Sequence, residues 1–247
     1  MNALTRYLPI ALLLAAWEAA SRLGWVPQSV LPSLSGVAAL WWRLLQEGEL
    51  AVHGGASLLR AAAGLSLSIV VGTALGILMS WSRPLRRALQ PLVGILYPLP
   101  KSALIPILMI WLGIGHLSKV AVIFLGCLLP VVLSSFNGAN GVDRTLIWSA
   151  QSLGATRGEI LREIVVPAAL PDILSGVRIA LALSFVLLVS SEMLAAREGL
   201  GFLISFLGEA GNYEGMFAAV FTVIGLGFAA DRGYLAATRW ALRWREA

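Results

Sequence analysis

Cysteine occurs once, at Cys127, so this chain forms no intrachain disulfide and holds no thiol cluster for a metal. Histidine occurs twice, and His53 and His116 stand too far apart in the sequence to offer metal-ligand spacing. Charge is scarce: Asp, Glu, Lys and Arg make up 13% of the 247 residues, against 58% apolar ones. A soluble domain carries about one-quarter charged residues, so a water-facing globule is excluded. Signatures of catalysis are missing as well. There is no GxxxxGK[ST] phosphate loop, so the chain does not bind ATP in that mode. There is no HExxH, and no Ser, His and acid set is placed for intramembrane hydrolysis. The net charge of +5 invites nucleic acid as a partner, but the basic residues stand in loops beside apolar runs. That is the positive-inside signature of a membrane protein, and nucleic acid is set aside.

What the sequence does have is apolar stretches of about 20 residues, each long enough to cross a bilayer as a helix. They predict an all-α polytopic membrane protein with six spans. The first apolar run, Tyr7 to about Ala20, is read as a retained span; a signal peptide looks similar, but Glu18 and Arg22 make a poor cleavage context. After Pro27 and Pro32, Ser33 is a plausible N-cap for a short amphipathic helix marked by Leu34, Val37, Ala38, Trp41 and Leu44. Trp41 and Trp42 are expected at headgroup level. Span two is expected over about 58–81, with Gly72 and Gly76 as a small-xxx-small pair for close helix approach. Span three, about 88–112, contains Pro91, Pro98, Pro100 and Pro106. So broken a helix frees backbone carbonyls, which requires burial among helices or a watery cavity. Spans four, five and six follow over about 119–136, 173–194 and 215–235. The piece Leu200 to Leu207 is too short to span and reads as a surface or re-entrant segment.

The longest polar interval runs from Asp143 to Pro171. It is still patterned: Leu146, Ile147, Ala150, Leu153, Ile160, Leu161 and Ile164 form an amphipathic stripe, interrupted by a turn at Gly154. Pro167 and Pro171 are expected to close it. A helix-turn-helix between two spans must dock on something, and an apolar stripe fits the groove of a partner protein. Ala150, Leu153 and Leu161 are the expected docked knobs.

This interval also resembles a motif. Permease subunits of bacterial ABC importers carry a loop patterned EAA, three residues, Gly, nine residues, Ile, one residue, Leu-Pro. Here Trp148-Ser149-Ala150, Gly154, Ile164, Val166 and Pro167 keep every spacing, with Trp148 at the acidic position and Val166 at the Leu. The segments PLPKSALIPILMIWLGIG, AQSLGATRGEIL, LPDILSGVRIALAL and REGLGF look like the taurine, sulfonate and nitrate group of these permeases. The resemblance implies the type I ABC importer permease fold: one transmembrane domain over 1–247, an importer core over 58–240, and a coupling loop over 143–171. It implies a second copy of the chain as partner, two ATPase subunits that bind ATP and Mg, and an extracytoplasmic solute-binding protein. No cofactor is implied in this chain. Coupling to the ATPase falls on Ala150, Leu153, Gly154, Ala155, Leu161, Ile164 and Pro167, with Trp148 substituting a packing contact for an acidic one. The implied cargo is a small anion, while some similar permeases take pyrimidine or aromatic compounds.

Candidate pathway residues are Pro100, Lys101, Ser102, Arg178 and Glu192. A lysine within a span faces protein or water. Lys101 directly follows Pro98-Leu99-Pro100, so its ammonium either draws the anion, with Ser102 as a hydrogen-bond donor, or neutralises freed carbonyls or pairs with Glu192. Arg178 is a second candidate, though its place suits an interface role better. Basic residues fix the expected orientation. Arg83, Arg86, Arg87, Arg144, Arg157, Arg162 and the tail arginines mark the inside, and Glu47, Glu49, Glu198, Glu209 and Glu214 the outside. Both termini then lie in the cytoplasm of a bacterial inner-membrane protein. A membrane enzyme and a channel or sensor scaffold are the competing classes; the first lacks a catalytic constellation, and the second would bring no ATPase partner with it.

Overall fold

A computed structural model describes residues 3–245, and among these every regular element is helical. The order is α1 (Ala3–Arg22), α2 (Leu34–Gln46), α3 (Glu49–Trp81), α4 (Arg83–Leu96), a 3₁₀ turn (Lys101–Ala103), α5 (Leu104–Leu112) and α6 (His116–Asn140). There follow α7 (Arg144–Ser152), α8 (Arg157–Glu159), a π-helical turn (Ile160–Val165), α9 (Val166–Leu194), α10 (Leu200–Glu209) and α11 (Tyr213–Ala241). Glu246 and Ala247, which end the basic tail, lie outside the described residues.

Among the described residues four helical runs are long and apolar enough to cross a membrane: Glu49–Trp81, His116–Asn140, Arg157–Leu194 and Tyr213–Ala241. A fifth pass results if α4 and the Lys101–Leu112 segment, bent by 86° at the proline-rich break, are one span. The expected first span is the 20-residue α1, whose described side chains begin at Leu8. Two boundaries depart furthest from expectation. α3 starts at Glu49, nine residues before the expected Leu58, because Gly48 takes φ +83° to end α2 and Glu49 favours the new N-terminus. Its 33 residues measure about 50 Å, well beyond the ~30 Å hydrocarbon thickness. Pro167 and Pro171 do not close the polar interval: α9 runs through both. Pro167 sits in the first turn of α9, directly after the π turn, where its missing N–H is not needed by a regular ladder.

The chain forms two compact units, and α3, α9 and α11 contribute to both. One comprises Met1–Leu58 and Glu192–Leu226. Here the non-spanning helices are tied down by carboxylates at their N-termini. Ser33 caps α2 as expected, accepting from the Gly36 N–H, and Glu18 accepts from the Leu34 N–H at 2.7 Å. Val37, Leu40 and Leu44 form the buried face of α2. Trp41 is half-buried, its indole N–H donating to Thr222 Oγ1 at 2.9 Å, and Trp42 stays exposed. The short helix α10 buries Leu200, Leu203, Ile204 and Leu207.

The other unit comprises Leu59–Ser191 and Gly227–Ala247. Its core joins Val122, Ile123, Cys127 and Val131 of α6 to Val177, Ala180, Leu187 and Leu188 of α9, with Ile105 and Leu108 of α5. α3 and α6 approach at glycines, as the small-xxx-small pair predicts. A β-carbon at Gly72 would stand 2.9 Å from the Val131 side chain, and one at Gly76 would stand 2.5 Å from the Val132 carbonyl oxygen. No other residue fits these two positions without separating the helices.

Candidate functional site

The Asp143–Pro171 interval is built from local signals. Asp143 caps α7 by accepting from the Thr145 N–H at 2.8 Å, a bond that holds its carboxyl below the usual carboxylate range. Gly154 takes φ +85°, a left-handed conformation open to glycine, and turns the chain after Leu153. Thr156 and Glu159 then form a capping box that starts α8. The turn is therefore a defined structure with two fixed helix starts.

Its apolar residues divide into two sets. Ile147, Ala150, Ala155 and Leu161 pack against the unit's own core, and Ile160 and Val165 are buried within it. Leu146, Trp148 and Leu153 point away, at 51%, 60% and 88% exposure. Of the three expected knobs, Leu153 stands clear, whereas Ala150 and Leu161 fasten the hairpin to its own chain. Ile164 and Pro167 are half-buried in the π turn and the start of α9. Leu146, Trp148 and Leu153 thus leave the hairpin with apolar side chains that its own unit does not cover.

The pathway candidates fall in different places. Lys101 Nζ donates to the carbonyl oxygens of Leu96, Tyr97 and Leu99 at 2.9, 2.8 and 2.7 Å, so it closes the carbonyl end that the proline break opens. Pro100 precedes it as the N-cap of the 3₁₀ turn, and Ser102 is exposed. Arg178 makes a two-pronged ion pair with Asp231, Nε to Oδ1 at 2.8 Å and a terminal nitrogen to Oδ2 at 3.1 Å, joining α9 to α11. Glu192 is 1% exposed in the other unit. It accepts from the Ser57 hydroxyl at 2.8 Å and the Gly201 N–H at 3.0 Å, and so anchors the start of α10.

Side chains that the sequence did not single out complete the picture. A cavity of about 490 Å³ beside the break is lined by Tyr97, Lys101, Ser134 and Asn137 among apolar neighbours. Its sequence signal was a pair of polar residues one turn apart, following Pro130 in an apolar run. Buried Lys119 folds back on the turn before α6, donating to Ile114 O at 2.6 Å, and Arg60 Nε donates to His116 Nδ1 at 3.1 Å.

Three comparisons bear on this arrangement. The model of the family described as binding-protein-dependent transport system inner membrane component matches residues 67–241. The taurine transport system permease protein TauC of Escherichia coli (strain K12) is 33% identical over 242 residues, 95% of this chain and 87% of that protein. The putative aliphatic sulfonates transport permease protein SsuC of the same organism is 33% identical over 241 residues, 98% and 91% of the two chains. Among solved structures, an inward-facing form of the MetNI methionine ABC transporter superposes with a TM-score of 0.68 at 20% identity, covering 79% of this chain and 97% of that one. This last likeness gives the fold, that of a type I ABC importer permease.

Proposed function

The chain belongs to the family of binding-protein-dependent transport system inner membrane components, and from that premise we propose that it forms the pathway for a small anionic solute of the aliphatic sulfonate or taurine type. It is a non-catalytic, multi-pass ABC importer permease. In the proposed assembly two copies pair in the inner membrane with both termini in the cytoplasm, two ATPase subunits seat on the Asp143–Pro171 hairpins, and a binding protein delivers the solute outside. ATP and Mg belong to the ATPase subunits. Similarity to a taurine and a sulfonate permease over nearly the whole chain supports the cargo class. Nitrate is a second small anion of the same charge.

The observation that supports the coupling role is the exposure of Leu153, 88%, alongside exposed Leu146 and Trp148, on a hairpin whose Ile147, Ala150, Ala155 and Leu161 are fastened inward. Driving one rigid element from outside requires a seated contact with two discrete positions. The experiment is co-purification of the cognate ATPase with wild type and with Leu153→Asp, alongside uptake of labelled taurine. We expect the variant to reach the membrane in normal amounts, to retain less than a tenth of the ATPase and to lose uptake. Full ATPase recovery with Leu153→Asp would remove the hairpin from the coupling role.

A further inference from the structure

An ammonium group has three N–H donors. Lys101 delivers them to the carbonyls of Leu96, Tyr97 and Leu99, and none is left for a solute. Its charge nevertheless lies beside the 490 Å³ cavity that its side chain helps to line. An anion there must take its hydrogen bonds from other groups. Ser134 and Asn137 stand one turn apart on the face of α6 that lines the cavity, and Tyr97 brings a phenol from the break. No hydrogen bond among the described residues engages the Ser134 hydroxyl, the Asn137 amide or the Tyr97 hydroxyl. Ser134 is half-buried and Asn137 exposed in the last two turns of α6, so uncommitted donors on a membrane helix here face the cavity and are a functional signal.

We propose that this cavity is a transit site for the sulfonate group of a small solute, in which the Ser134 hydroxyl and the Asn137 amide donate the hydrogen bonds and Lys101 supplies only its field. This rests on the reading of the chain as an importer of small anions. Neutral donors with one fixed positive charge suit a sulfonate, which carries a single negative charge spread over three weakly basic oxygens. Leu133 and Leu183 give its alkyl part an apolar wall. The absence of a direct ion pair has a transport rationale. A solute in passage must be bound well enough to enter and loosely enough to leave.

The test is uptake of labelled taurine and methanesulfonate into proteoliposomes holding the complete importer with its ATPase and binding protein. Asn137→Asp keeps the side chain's shape but exchanges the donor for an acceptor and adds a negative charge. We expect Ser134→Ala with Asn137→Ala to cut uptake of both probes at least tenfold, and Asn137→Asp to cut it further, while co-purification of the ATPase stays at the wild-type level. Wild-type uptake by the double variant overturns this inference and leaves the importer reading intact. A wild-type importer that moves neither taurine, methanesulfonate nor nitrate overturns both. Should the double variant fail to assemble, Asn137→Asp decides alone: undiminished uptake of both probes sinks the proposal.

Discussion

A charged side chain inside an apolar helical body is held where backbone groups have lost their own partners. Lys101 and Lys119 both fold back on carbonyls left open by a break or turn, and Glu18 and Glu192 both accept N–H groups at the start of a short helix. Lys101 meets carbonyls at the C-terminal end of α4 and the two glutamates meet N-terminal amides, as the helix dipole favours, whereas Lys119 satisfies carbonyls of the turn that leads into α6. The presence of a lysine after Pro98-Leu99-Pro100 was legible in the sequence, as was the need for its charge to face something. Which partner it takes depends on how the chain folds back at Tyr97, and no local pattern encodes that. The consequence is measurable. Lys101→Met leaves three carbonyls without a donor, at about 1–3 kcal/mol for each group that stays unsatisfied. We expect the detergent-purified subunit to melt several degrees lower, with Lys101→Arg recovering most of the loss because a guanidinium still donates. An unchanged melting temperature for Lys101→Met would show that the three carbonyls do not depend on the ammonium.

At the level of elements, the hairpin between α6 and α9 was the part most legible in the sequence. Asp143, Gly154 and the Thr156–Glu159 pair are local signals, and each appears as a cap or turn. The stripe itself was also visible, but periodicity alone cannot say which neighbour an apolar residue meets. Ala150 and Leu161 found their own core, leaving Leu153 alone of the three expected knobs exposed. The prolines misled for a different reason: the π turn ahead of Pro167 lets one helix run from Arg157 to Leu194. Gly154 carries the sharpest prediction here. Its φ of +85° costs a β-branched residue about 1–3 kcal/mol, whereas asparagine tolerates the left-handed region. Gly154→Val should therefore reduce taurine uptake at least tenfold at normal membrane abundance, and Gly154→Asn should stay within about twofold of wild type. Equal uptake by the two variants would mean that the turn's conformation does not matter to transport.

For the whole molecule, the count of passes decides which surfaces face which compartment, and one element makes the count ambiguous. α4 and the Lys101–Leu112 segment meet at 86°, so together they form either one broken pass or a re-entrant loop that returns to the side it left. Charge selects between the two. Arg83 opens α4, and Arg157 opens the run that continues as α9, with the bent pair and α6 between them. If the bent pair is one pass, two passes separate Arg83 from Arg157 and both arginines share a side, as the positive-inside rule demands. If it is re-entrant, they lie on opposite sides. Glu209 is separated from Arg157 by α9 and by α10, whose ten residues span about 15 Å and cannot cross. Glu209 must therefore face the compartment opposite Arg157. All three side chains are exposed, and Cys127 is buried, so single cysteines can be introduced in a Cys127→Ala background. With a membrane-impermeant maleimide on intact cells, we expect Glu209→Cys to label and both Arg83→Cys and Arg157→Cys to stay protected until the membrane is opened. Labelling of Arg83→Cys from outside would make the bent pair a re-entrant loop, and labelling of Arg157→Cys would invert the proposed orientation and place the coupling hairpin beyond the reach of any cytoplasmic ATPase.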